Sequence, residues 1–73
     1  MTLIEALKEK GLTEVEIEVM VMLRTDPASN EVLAERLFRT KRAIQWRVFK
    51  AMRKLGFDNR PEAILWMAQF PLT

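Results

Sequence analysis

The stretch TKRAIQWRVFKAMRKLG, residues 40–56, decides the fold of this 73-residue chain. At 100° per residue, five of its apolar side chains fall within about a third of a helix circumference and form a core stripe. These are Ile44, Val48, Ala51, Met52 and Leu55. Thr40 can cap the helix at its start, and Gly56 can end it in the left-handed conformation. The stretch therefore predicts an amphipathic helix over residues 41–55.

The opposite face of this helix is cationic and aromatic. It carries Arg42, Trp46, Phe49, Lys50 and Arg53, with Arg47 and Lys54 at its flanks. A helix is about as wide as the major groove of DNA, so outward side chains can reach base edges while flanking Lys and Arg neutralise phosphates. On this pattern alone, an ordinary solvated helix face is an equally good interpretation.

Two shorter amphipathic segments begin the chain. Thr2 can cap a first helix that stops at Gly11 and carries one apolar stripe of Leu3, Ile4 and Leu7. The sequence TEVE, residues 13–16, is a capping box, in which a Thr hydroxyl and a Glu carboxylate satisfy two backbone amides. The second helix that it opens is predicted to end before Asp26-Pro27 and to bury Ile17, Met20, Val21 and Leu23.

A third helix leads into the cationic one. Ser29 is predicted to cap it, and it runs from Asn30 to about Leu37 with Val32, Leu33 and Leu37 buried. Residues 38–40 then form a short connection. Two helices joined by so short a turn, the second with a cationic outer face, are typical of a helix-turn-helix. Two ordinary packed helices of an all-α domain are the alternative.

The last segment predicts a helix over residues 61–70 with more than one apolar face. Asn59-Arg60-Pro61-Glu62 reads as its capped start, and residues 63–70 are apolar except Gln69. One small core cannot cover a helix that is apolar all round, so we expect a second chain to cover part of it. The predicted dimer-interface residues are Ile64, Leu65, Trp66, Ala68, Gln69 and Phe70.

Charge is strongly segregated along the chain. Residues 1–35 carry three basic and eight acidic side chains, whereas residues 36–60 carry nine basic side chains and a single acidic one, Asp58. The net charge of +2 thus hides a concentrated positive segment. Such a segment is the electrostatic footprint expected of a protein that binds a phosphate backbone, and double-stranded DNA is the predicted partner.

The composition argues against an enzyme, a metal site and a cofactor. Cys and His are absent, which removes disulfides, thiolate ligands and the usual imidazole base. Glu14, Glu16 and Glu18 are spaced by two along a helix, so they do not converge as a catalytic pair, and we expect a solvated or polymerase-facing acidic surface. No apolar run is long enough to span a membrane and no signal peptide is visible, so a cytoplasmic protein is expected.

Four segments resemble, in order and spacing, the LuxR/GerE-type helix-turn-helix family, also called the NarL/FixJ C-terminal domain. They are LTEVEIEVM at 12–20, SNEVLAERLF at 29–38, the stretch from Thr40 that ends in MRKLGF at 52–57, and NRPEA at 59–63. Together they place residues 12–68 within the family pattern.

The resemblance implies one all-α domain over residues 1–73, in which four helices form a LuxR-type helix-turn-helix and residues 1–11 add a short N-terminal helix. It implies that the helix over 41–55 reads the major groove and that the helix over 61–70 joins a homodimer. It also implies a stand-alone GerE-like member, without a receiver or ligand-binding domain.

Within this scheme the cationic face divides into two sets of contacts. Base contacts are expected from Thr40, Lys41, Arg42, Gln45, Trp46, Phe49 and Lys50, and phosphate contacts from Arg36, Arg39, Arg47, Arg53 and Lys54. The chain departs from the family's Thr-Val-Lys-x-His pattern, because neutral Gln45 stands where the family has Lys, although Gln can bond an adenine edge. Trp46 and Phe49 could contact thymine methyl groups, a protein partner or the edge of the core, and all three interpretations stay open.

The sequence therefore predicts a sequence-specific DNA-binding transcriptional regulator. The alternative is an interaction protein that binds another LuxR-type regulator or RNA polymerase and modulates it, which Gln45 and the outward Trp46 and Phe49 favour. A third interpretation, a relative of sigma-factor region 4, fits less well because the NRPEA segment follows the recognition helix.

Overall fold

The computed structural model describes residues 1–25, 30–37 and 39–72, and over these ranges the chain is all-α, without a strand. Five helices follow one another: α1 Leu3–Glu9, α2 Glu14–Thr25, α3 Asn30–Arg36, α4 Lys41–Leu55 and α5 Arg60–Met67. The predicted helix over 41–55 is confirmed at both ends. In the part of the chain described here, no helix has the length and apolar character that a membrane crossing requires.

Side-chain caps begin the helices where the sequence places them. Thr13 and Glu16 form the predicted capping box, since the Thr13 amide donates to Glu16 Oε1 at 2.8 Å and the Glu16 amide donates to Thr13 Oγ1 at 3.3 Å. At the start of α4, Thr40 Oγ1 accepts from the Ala43 amide at 3.1 Å. A capping box at Thr2 begins α1. The predicted Ser29 cap of α3, the stop at 26–27 and residue 38 of the connection lie outside the described residues.

Both glycines of the chain end helices. Gly11 has φ +84° and Gly56 has φ +83°, values that L side chains adopt only at a cost. At the end of α4, the amides of Gly56 and Phe57 both donate to the Met52 carbonyl oxygen, at 2.9 and 3.0 Å. These bonds satisfy a carbonyl that the helix would otherwise leave unpaired, so α4 has a defined end as well as a defined start.

The helix α5 is shorter than predicted. Its cap is the expected one, with Asn59 Oδ1 accepting from the Glu62 amide at 3.0 Å, but the helix ends at Met67 and not at Phe70. The residues that follow form tight turns with amides bonded three residues back. Pro71 explains the early end, because proline lacks an amide hydrogen and disfavours helical geometry in the residue before it.

The core lies between α4 and the helices that precede it. α4 packs most extensively on α2 and α3. Four members of its predicted stripe are buried and Leu55 is half-buried. From α2 and α3 the buried apolar side chains are Ile17, Val19, Met20, Leu23, Leu33 and Ala34. The prediction that Val21, Val32 and Leu37 are buried is wrong in degree, because all three are half-buried. Val21 and Leu37 pack against the edge of this core.

The added helix α1 differs from its prediction at one position. Ile4, expected on the core stripe, is 37% exposed, while Leu3, Ala6 and Leu7 are buried. Positions three and four apart share a helix face, so these three define the inward face and Ile4 lies at its edge. The Leu3 amide donates to the Pro71 carbonyl oxygen at 2.8 Å, which ties the start of α1 to the segment after α5.

Candidate nucleic-acid interface

The outward face of α4 is exposed along its length. Every residue predicted to contact bases is exposed: Thr40, Lys41, Arg42, Gln45, Trp46, Phe49 and Lys50. The helix carries six cationic side chains and no acidic one. Because its other side is buried against α2 and α3, the cationic side is held toward solvent at a fixed rotation.

Two stacked aromatic rings lie in the middle of this face. Trp46 is 58% exposed and Phe49 is 49% exposed, and their ring centroids lie 5.7 Å apart with the planes inclined by 21°. The interpretation that they cover the edge of the core is therefore wrong. Lys50 Nζ lies 5.9 Å from the centre of the Trp46 ring, and the Arg53 guanidinium carbon lies 5.6 Å from the centre of the Phe49 ring. The result is an apolar surface with a cation against each ring.

An open groove of about 710 Å³ runs beside the aromatic pair. It is lined by Thr40, Arg42, Ala43, Gln45, Trp46 and Phe49. Arginine and glutamine are the side chains that bond guanine and adenine edges, respectively, in two-point contacts. The groove therefore combines hydrogen-bonding groups suited to base edges with an apolar wall.

Two of the predicted base-contacting residues also have partners within the fold. Lys41 Nζ lies 3.3 Å from Glu31 Oε1 of α3, and both side chains are well exposed. An exposed ion pair of this kind contributes at most about 1 kcal/mol, so the contact with Glu31 does not prevent Lys41 from binding another group. The Thr40 hydroxyl caps α4 by accepting a hydrogen bond, which leaves its own hydrogen available to donate.

Lys54, predicted to contact phosphate, is engaged inside the fold. Its ammonium group donates to Glu16 Oε1 at 2.7 Å and to the Gly11 carbonyl oxygen at 3.1 Å. Glu16 is only 3% exposed, so the expectation that it belongs to a solvated acidic surface with Glu14 and Glu18 is wrong. Glu14 and Glu18 are exposed, as expected. The capping box and Lys54 together hold this carboxylate at the start of α2.

The pKa of Glu16 shows how the carboxylate tolerates burial. Burial by itself raises the pKa of this carboxyl, but hydrogen bonding with Lys54 and Thr13 and the positive charge of Lys54 outweigh it, so the pKa lies below its ordinary value of 4.5. Glu16 is therefore ionised at neutral pH. Its Oε2 atom is buried and has no hydrogen-bond partner within the described residues.

The remaining predicted phosphate contacts differ in exposure. Arg36, Arg39 and Arg53 are exposed, whereas Arg47 is half-buried. Arg47 borders a second, smaller depression of about 340 Å³ beside Glu16, and its Nε atom is buried without a hydrogen-bond partner in the described part of the chain.

The predicted dimer-interface residues separate into two groups. Leu65 is 73% exposed, and Ala68 and Gln69 are exposed as well. Ile64, Trp66 and Phe70 are half-buried and pack against the core. The Trp66 ring lies 5.8 Å from the Phe57 ring and 4.9 Å from the Phe70 ring, centroid to centroid. The domain therefore covers much of α5 itself and leaves Leu65 as its main uncovered apolar side chain.

One signal in the sequence could have identified Glu16. It lies three, four and seven residues before Val19, Met20 and Leu23, so it occupies the buried stripe of α2. Its partner Lys54 lies 38 residues away and has no comparable local signal.

Over the described ranges, no group of three or more acidic side chains is placed to hold a metal ion. Comparison with protein-family models, with curated proteins and with solved structures gives no match to this chain. The LuxR/GerE resemblance stays a prediction that rests on the four sequence segments.

Proposed function

We propose that this chain is a cytoplasmic, sequence-specific DNA-binding transcriptional regulator of the LuxR/GerE type. In this proposal α2 to α5 form the four-helix domain, α1 is an added helix, and α3 and α4 are the helix-turn-helix pair. The observation that carries the proposal is that α4 has six cations and no acid, and that every predicted base contact is exposed on its outward face. A surface of this kind fits a duplex, because phosphates line the rims of the groove and base edges form its floor.

The proposed roles follow from position along the helix. Arg42 and Gln45 in the open groove bond base edges, while cations at the margins bond phosphates. The proposed base contacts are Thr40, Lys41, Arg42, Gln45, Trp46, Phe49 and Lys50, and the proposed phosphate contacts are Arg36, Arg39, Arg47 and Arg53. Lys54 does not contact phosphate in this proposal. It stabilises the fold instead, because its ammonium group is bound to Glu16 and Gly11.

The proposal includes a homodimer through α5. Leu65 is 73% exposed on a helix whose other large apolar side chains, Ile64, Trp66 and Met67, pack inward, and a second copy is the partner that would cover it. A two-fold dimer of helix-turn-helix domains binds two half-sites about one helical turn apart. The proposed binding site on DNA is therefore a near-palindrome.

The experiment that tests the proposal is selection of duplexes from a random library, followed by salt titration of the selected site. The proposal expects one enriched motif, and a logarithm of affinity that falls with the logarithm of salt by about 0.9 per phosphate contact. Lys8→Gln is a matched control, since it removes one positive charge from α1, which supplies none of the proposed DNA contacts. Absence of any enriched motif, or a response to salt that is flat, would overturn the proposal.

A second candidate function rests on the exposure of Trp46 and Phe49. Large apolar side chains on a surface are also typical of protein interaction sites. In that case the chain binds RNA polymerase or another LuxR-type regulator, and DNA binding is weak. Size-exclusion chromatography with purified RNA polymerase, compared between wild type and Trp46→Ala, distinguishes the two: a complex that depends on Trp46 without DNA supports this candidate.

A further inference from the structure

The aromatic pair of Trp46 and Phe49 occupies the centre of the surface that the proposed function turns toward DNA. The two residues are three apart on α4, so they share a face, and their rings stack at 5.7 Å. They form one wall of the open groove that also contains Gln45 and Arg42. Any ligand that reaches these two polar side chains therefore also meets an apolar surface.

The charges around the pair favour a polyanion over an apolar peptide. Lys50 lies against the Trp46 ring and Arg53 against the Phe49 ring, and α4 contains no acid. The surface thus has an apolar centre and cationic margins. The major groove has the matching arrangement, with phosphates at the rims and base edges on the floor.

Only one kind of apolar group projects from the floor of the major groove, and it is the 5-methyl group of thymine. We infer that Trp46 and Phe49 read thymine methyl groups, so that the chain selects thymine-containing steps next to the bases bonded by Arg42 and Gln45. This inference rests on the proposed function and adds the class of base that the site recognises. Contact with the rings removes the methyl group from water, which favours thymine over the other bases.

Replacement of thymine by deoxyuridine tests the inference, because it removes the methyl group and keeps the hydrogen-bonding groups. In the selected duplex, each thymine is replaced in turn and affinity is measured by fluorescence anisotropy at constant salt. For wild-type protein, we expect about a fourfold loss of affinity at one or two positions in each half-site, the effect of burying one methyl group. For Trp46→Ala, uracil and thymine duplexes should bind alike at those positions. Trp46→Phe, which keeps an apolar ring, should retain most of the difference.

Gln45→Ala is the matched control, since it changes a neighbouring groove residue without removing an aromatic ring. It should lower affinity overall and keep the penalty for uracil. Equal binding of uracil and thymine duplexes by wild-type protein overturns the inference and leaves the proposed function intact. An equal uracil penalty in wild type and Trp46→Ala also overturns it, and leaves the aromatic pair available to a protein partner. Failure to select any duplex overturns the proposed function itself, and the inference with it. The uracil series on wild-type protein is informative even if a variant does not fold.

Discussion

Lys54 Nζ lies 2.7 Å from Glu16 Oε1, and this contact joins the last turn of α4 to the first turn of α2. The same ammonium group bonds the Gly11 carbonyl oxygen in the turn after α1. One cation thus connects two parts of the chain, the turn after α1 and the first turn of α2, to the proposed recognition helix. Since Glu16 is buried, the contact adds to the packing that holds α4 against α2 with its cationic face toward solvent.

Lys54→Met and Arg53→Met form a matched pair that separates folding from DNA contact. Each removes one positive charge from neighbouring positions of α4. Lys54→Met should lower the free energy of unfolding by about 2 kcal/mol, because it leaves the buried Glu16 carboxylate without its charged donor. Arg53→Met, at an exposed position, should change it by about 0.5 kcal/mol. Urea denaturation followed by circular dichroism measures both.

In DNA binding, by contrast, Arg53→Met should have the larger effect and Lys54→Met the smaller one. Arg53→Met should reduce the slope of affinity against salt by about 0.9, the value of one phosphate contact. Lys54→Met should leave the slope unchanged at temperatures where it is folded. A reduced slope for Lys54→Met would show that its ammonium group leaves Glu16 and binds phosphate.

The stability of the domain should fall in acid because of Glu16. Its pKa is lower in the folded state than the ordinary 4.5, so the ionised form stabilises the fold above that value and the contribution is lost as the pH falls below it. Glu16→Gln should therefore be less stable than wild type at pH 7, and the difference should shrink as the pH falls below the ordinary pKa of 4.5. Thermal denaturation at a series of pH values measures this difference.

Glu5→Gln provides the control for that experiment. Hydrogen bonds at the Thr2 cap also lower the pKa of the Glu5 carboxyl, but this group is fully exposed. Its substitution should leave most of the wild-type pH dependence in place. If Glu5→Gln flattens the profile as much as Glu16→Gln does, the buried contact is not the source of acid sensitivity.

The bounds of α4 could be predicted from sequence because local chemistry sets them. Thr40 supplies a side-chain cap, Gly56 adopts a left-handed conformation, and apolar residues recur at helical spacing between them. The sequence does not determine the exposure of Trp46 and Phe49, because periodicity places a side chain on a face but does not show what covers that face. Packing of α4 against α2 and α3 determines which of its faces is covered and leaves Trp46 and Phe49 exposed.

The rest of the site depends on contacts between distant parts of the chain. The partner of Glu16 lies in α4, and the amide of Leu3 is bonded to Pro71 near the other end of the chain. Neither contact has a sequence pattern of its own. Pro71, by contrast, is a local signal for the early end of α5, but the continuous apolar run before it favours a longer helix.

Arg42→Ala should relax the sequence preference of DNA binding. Arg42 lines the groove beside Gln45, where a guanidinium group can bond a guanine edge, and loss of one such contact costs about 1–3 kcal/mol of discrimination. Arg53→Ala should weaken binding to all sequences about equally. Competition between the selected duplex and single-base variants measures the preference. The reverse assignment, with preference lost in Arg53→Ala, would mean that the face of α4 that enters the groove is rotated.

Gly56→Ala should destabilise the fold by about 1 kcal/mol. The φ of +83° is unfavourable for any residue with a β-carbon, and no heavy atom lies within 4 Å of where that carbon would be, so the cost is conformational and not steric. Gly56→Asn should cost less, because asparagine tolerates the left-handed region better than alanine does. Equal stability of wild type and Gly56→Ala in urea denaturation would contradict the assigned end of α4.

Leu65→Glu should convert the proposed dimer to a monomer without unfolding it. Leu65 is 73% exposed, so the isolated domain loses little when the side chain becomes charged, whereas a second copy would have to bury that charge. Sedimentation velocity measures the change, and circular dichroism confirms the fold. Trp66→Glu is less informative, because Trp66 packs on Phe57 and Phe70 and its loss should also destabilise the monomer.

Phe49→Glu is the control on α4, and it should abolish DNA binding and leave the dimer intact. A dimer that survives Leu65→Glu would show that α5 does not form the interface.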